Sequence, residues 1–88
     1  MKVKAKDYAK ALEWFEKAAN QGYASSQFNV GIFYNNGLEG VKIDKDKAFK
    51  YFKLSADQGF AKAQYDVGIY YIDTDNPTEA FKYFKASI

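Results

Sequence analysis

Cysteine, histidine and arginine are absent from the 88 residues. Without Cys or His, the usual zinc sites, cysteine nucleophiles and Ser-His or Cys-His pairs are excluded within the chain. No disulfide can form, which fits a reducing compartment and makes a cytoplasmic location the expectation. A signal removed from a longer parent would leave no trace. All 13 basic residues are Lys, and net charge is only +2. Nucleic-acid readers lean on the planar Arg fork, so no nucleic-acid partner is expected. Long apolar runs are missing too. The opening MKVKAKD has the charge of a signal n-region, but YAKALEWFEK follows in place of an apolar stretch. No run reaches transmembrane length, and the polar faces alternate both signs of charge, so no membrane partner is expected.

What is present is apolar and repetitive. Hydrophobic residues make up 48% of the chain and aromatics 19%, far too apolar for a disordered tail. The length suits one small domain. Residues 19–34 read ANQGYASSQFNVGIFY and residues 56–71 read ADQGFAKAQYDVGIYY; nine of sixteen positions agree, 37 residues apart. A second element occurs three times, as DKAFKYFK (46–53), PTEAFKYFK (77–85) and DYAKALEWFEK (7–17). Five segments therefore alternate between two kinds.

Each segment has helical periodicity. Tyr8, Ala11, Leu12, Phe15, Ala18 and Ala19 fall on i, i+3, i+4, i+7 spacing. The next segment is apolar on more than one face, through Phe28, Val30, Ile32, Phe33 and Tyr34, and should lie between neighbours. Asn76-Pro77-Thr78-Glu79 reads as a capped helix start, and Asp44 as another cap. Gly22, Gly37 and Gly59 suit left-handed helix ends. The expected helices are near 6–20, 24–36, 44–57, 61–72 and 76–87. A helix pair of this size buries its apolar face only by stacking on another pair, which is the physical reason for repetition. Gly31 and Gly68 lie inside helices, where Gly costs about 1 kcal/mol against Ala. A closely approaching helix backbone, with Ala11, Ala48 or Ala80 facing the glycine, would offset that cost.

Ala24-x-x-Gln27-x-x-Val30-Gly31-x-x-Tyr34-x-x-Gly37, followed by Asp46-x-Ala48-x-x-Tyr51-Phe52-x-x-x-Ala56-x-Gln58-Gly59, resembles a Sel1-like repeat. This is a relative of the tetratricopeptide repeat. The resemblance covers nearly the whole chain as a leading helix (6–22), one repeat (23–59) and a second (60–88). It implies an all-α fold: a right-handed α-solenoid of antiparallel helix pairs, in a single domain of about five helices. Val30 and Val67 stand where the family usually has Leu. The second repeat has only Asp73-Thr74-Asp75 between its helices, and the last helix lacks the closing Gln-Gly, so that repeat is read as cut short.

The chemistry available is sparse. The pairs Asp44/Asp46 and Asp73/Asp75 lie at helix junctions, where capping accounts for them. The Asp73-Thr74-Asp75-Asn76 run lacks the Gly and distal Glu of an EF-hand loop. In Phe49-Lys50-Tyr51-Phe52-Lys53 the aromatics are placed inward and the lysines in solvent. Trp14 is expected in the core or at an end contact. No catalytic residue, metal or cofactor is expected; an enzyme, such as the hydrolases proposed within the family, would need a nucleophile with an activating base. The resemblance implies a non-enzymatic scaffold that binds a protein or peptide on its concave face. It places Ser25, Phe28, Asn29, Ile32 and Asn35, then Lys62, Tyr65, Asp66, Ile69 and Ile72, toward that groove. In the competing account Phe28, Ile32, Tyr65 and Ile69 simply pack between repeats. Self-association through exposed apolar ends (a homo-oligomer) is the rival function.

Overall fold

Asp44, Gly22 and Gly59 punctuate the chain where their chemistry predicts. The computed structural model describes residues 5–38 and 40–88, with side chains from Ala9 onward, so Tyr8 of the expected apolar stripe lies outside the described side chains. Among the described residues five helices follow one another: α1 (Ala5–Asn20), α2 (Ala24–Asn36), α3 (Lys45–Ala56), α4 (Ala61–Asp73) and α5 (Pro77–Ala86). There is no strand among the described residues. The Asp44 carboxylate accepts a hydrogen bond from the Lys47 N–H at 3.0 Å and so starts α3. Gly22 and Gly59 take φ of 97° and 91°, the left-handed region that a Cβ disfavours, and each reverses the chain between helices. Asn76 departs from expectation. It stands before Pro77, but its side chain makes no capping bond. Its amide nitrogen donates instead to the carbonyl and hydroxyl oxygens of Thr74, which ties the side chain into the turn.

Each helix packs on its neighbours in sequence, α2 on α1 and α3, and α4 on α3 and α5. The result is an elongated solenoid, 40 × 24 × 23 Å. Ala48, Phe52, Ala56, Ala63 and Val67 form one buried cluster, and Ala19, Val30 and Tyr51 form another. The repeated glutamines have matched tasks. Gln27 donates to the Ala19 carbonyl and Gln64 to the Ala56 carbonyl, both at 3.2 Å. Each thus satisfies a carbonyl in the last turn of the preceding helix, which the helix itself leaves open. Ser55, fully buried, donates to the Ala24 carbonyl at 2.8 Å, and Gln58 donates to Gln27 Oε1 at 2.7 Å. Among the described residues no buried side-chain polar atom is left unpaired.

Two packing expectations change. The nearest neighbours of Gly31 and Gly68 are phenyl rings, where alanines on an approaching backbone were expected. A Cβ at Gly31 would stand 2.6 Å from the Phe52 ring, and one at Gly68 2.5 Å from the Phe84 ring. The glycines are flat seats for phenyl rings. Trp14 is not in the core: it is 66% exposed, with the Lys17 ammonium 5.2 Å from its ring centroid. Its neighbour Phe15 turns inward onto Phe33 instead. Among the described residues no helix is long and apolar enough to cross a membrane.

Candidate functional site

One stripe of α4, made by Lys62, Tyr65, Asp66, Ile69, Tyr70 and Asp73, follows the three- and four-residue spacing of a single helix face. Two clefts open along it. The deeper one, about 350 Å³, is walled by Asn35 of α2, by Lys45, Phe49 and Phe52 of α3, and by Asp66, Ile69, Tyr70, Asp73 and Thr74. The shallower one is lined by Phe28, Ala61, Lys62, Tyr65, Asp66 and Ser87. Asp66 belongs to both and sits where they meet.

Local packing explains the walls. Phe49 stacks on Tyr70 with ring centroids 3.9 Å apart and meets Tyr71 edge-on. Adjacent tyrosines cannot both enter one core, so Tyr70 closes the cleft wall while Tyr71 packs against the buried cluster. Lys45 is fixed at the rim, its ammonium donating to the Asn35 carbonyl at 2.8 Å and to Asn35 Oδ1 at 3.1 Å. Asp66 is half-buried and, among the described residues, has neither a hydrogen bond nor an ion pair. Burial, which disfavours the charged form, pushes its carboxyl above the usual range.

The ten residues expected in a groove divide into three groups. Asn35, Asp66 and Ile69 meet in the deeper cleft, and Phe28, Lys62, Tyr65 and Asp66 in the shallower one. Phe28 and Ile32 also pack against the buried cluster, Phe28 between the rings of Phe52 and Phe60. Ser25, Asn29, Ile32 and Ile72 line neither cleft. Sequence reasoning missed Lys45, Phe49 and Phe52 because it searched only the first helix of each pair and the deeper cleft lies against α3; it missed Tyr70, Asp73 and Thr74 at the end of α4 although that helix was searched. The Tyr70-Tyr71 doublet was the available signal. Among the described residues no three carboxylates converge. Asp44 caps, and Asp75 occupies a left-handed turn position with φ of 60°.

Similarity to known proteins follows the same frame. The curated relatives include DAP3-binding cell death enhancer 1 of Rattus norvegicus and of Mus musculus. Each is 43% identical over 35 residues, which is 40% of this chain and 7% of the relative. A solved Sel1 repeat protein from Oxalobacter formigenes superposes with a TM-score of 0.84 at 32% identity, covering 88% of this chain and 32% of that one. The chain thus spans under a tenth of those curated relatives and about a third of that solved structure. Sel1 repeats are generally protein-interaction scaffolds and typically non-catalytic. The family model described as Sel1 repeat matches residues 2–23, 24–60 and 61–88, nearly the whole length, and the chain belongs to the Sel1 repeat family.

Proposed function

We propose that the chain is a non-enzymatic scaffold holding a peptide or protein segment along α4, in the two clefts that share Asp66. The observation that supports this most is the cleft composition: aromatic and aliphatic walls with a few fixed polar groups, the pattern of a groove that receives a peptide. The curated relatives are named for binding another protein, which agrees in kind. The test is a pull-down from the source cell with wild type, a Tyr65→Ala/Ile69→Ala double variant and a Lys42→Ala control. Both groove side chains are substantially exposed, so the fold should survive their loss. A specific partner is expected to disappear with the double variant alone. Equal capture by all three would sink the groove reading.

A second reading, self-association, is favoured by a different observation. Trp14 corresponds to the buried Tyr51 of the internal repeat, and Phe81 corresponds to Phe49, which is stacked on Tyr70. Trp14 and Phe81 are 66% and 68% exposed. Apolar residues covered at an inner position and bare at an outer one mark a face that another helix can cover. Sedimentation over a hundredfold concentration range is expected to show mass rising with concentration, with Phe81→Ser reducing the effect. A constant monomer mass would end this reading.

A further inference from the structure

The least settled group in the molecule is the Asp66 carboxylate. It is half-buried among Phe28, Phe52, Tyr65 and Ile69, and no donor among the described residues reaches it. Neither nearby lysine is paired with it. Lys45 is held by Asn35. Lys62 stands one turn before Asp66 on the same helix, yet the ion pair present among the described residues is Lys53–Asp57. A lysine four residues before an acid is the poorer orientation of such a pair. The matching position of the first repeat is Asn29, 37 residues earlier, so the same fold accommodates a neutral amide at that point. The charge at 66 therefore has no structural task.

We infer that Asp66 is an anchor for a basic side chain, and that the partner segment is extended with the pattern apolar-x-Arg/Lys-x-apolar. This rests on the α4 groove being the binding face. Charge complementarity selects the centre of the pattern: with Lys45 tied down, Asp66 and Asp73 are the open charges of the deeper cleft. An Arg fork satisfies a carboxylate with two parallel bonds. Geometry selects the flanks. The clefts lie on successive halves of α4, centred six or seven residues apart, which is on the order of 10 Å at the helical rise. In an extended segment, alternate side chains share one face, and residues four apart are separated by about 13 Å. A central Arg can then meet Asp66 while the apolar residues two before and two after enter the two clefts.

The test uses the whole chain, labelled with ¹⁵N, and the probe acetyl-Leu-Ser-Arg-Ser-Leu-amide. Amide shifts are expected to concentrate on Tyr65, Asp66 and Ile69. Replacing Arg by the isosteric neutral citrulline is expected to weaken binding about five- to tenfold, as for a partly desolvated bidentate pair. Asp66→Asn should weaken the Arg probe equally and leave the citrulline probe unchanged, with the spectrum otherwise preserved. Affinity for the Arg probe should also fall as pH drops through the raised Asp66 range, and should fall less in Asp66→Asn. Lys45, Lys62, Asp73, Tyr65 and Tyr70 line the same clefts and are kept in both proteins, so the difference between the two profiles is the reading that belongs to residue 66. Arg and citrulline probes binding alike at α4 would overturn the anchor while leaving the groove standing. Shifts elsewhere, or none at millimolar probe, would overturn the extended pattern; the pull-down with Tyr65→Ala/Ile69→Ala tests the groove separately.

Discussion

Gly31→Leu is expected to lower the melting temperature by on the order of 10 °C or more. The reason is the Phe52 ring, two of whose carbons would lie 2.6 Å from a Cβ at that position. Phe52 is buried, packed against Phe28 and the Ala48, Ala56, Ala63 and Val67 cluster, and could move only toward the cleft it walls, at the cost of those contacts. Overpacking of this kind typically costs about 1–3 kcal/mol, and each kcal/mol moves Tm by about 4–8 °C in a domain of this size. The alanine variants refine the test. In an open helix, Gly→Ala gains up to about 1 kcal/mol of propensity, and from sequence both alanine variants would be mild. The packing separates them. Phe84, opposite Gly68, is only half-buried and can yield outward, so Gly68→Ala should be tolerated better than Gly31→Ala. Thermal melts by circular dichroism decide it. An unchanged Tm for Gly31→Leu would show that α2 and α3 do not meet there.

The glycines illustrate where sequence reading stopped. That Gly31 and Gly68 needed a close neighbour was legible, because an in-helix glycine at matched repeat positions has a propensity cost to offset. That the neighbours are Phe52 and Phe84 was not, since the partner is set by how two helices cross. Helix ends were read to within a residue or so wherever a local device operates, as at Asp44, Gly22 and Gly59. Asn76 escaped because its side chain can serve the turn as well as the helix end, and its amide nitrogen donates to Thr74. The candidate site follows the same division. The α4 stripe of Lys62, Tyr65, Asp66 and Ile69 follows from 3.6-residue spacing. The α3 wall of Lys45 and Phe49 depends on the gap between α3 and α4, which no periodicity encodes.

Phe52→Ala is expected to remove a large part of the stability of the chain. The side chain is 6% exposed and stands at the junction of α2, α3 and α4, touching Phe28 and forming part of the main buried cluster. Truncating a core Phe typically costs about 3–5 kcal/mol, against a total stability of roughly 5–15 kcal/mol for native domains. In a repeat array stability passes only between neighbours, so loss at this junction uncouples α2 from α4. Phe81→Ala, at a residue 68% exposed, is the control and should stay within about 0.5 kcal/mol of wild type. The sharper measurement is the double variant. If the ring of Phe52 and the bare backbone of Gly31 are two halves of one contact, Gly31→Leu supplies the bulk that Phe52→Ala removes. Combining them should then cost less than the two single changes added together, with a coupling of about 1–3 kcal/mol. Urea unfolding of the four proteins gives the cycle directly. Strict additivity would mean that the introduced leucine and the vacated Phe52 site do not share space, and that the glycine is there for another reason.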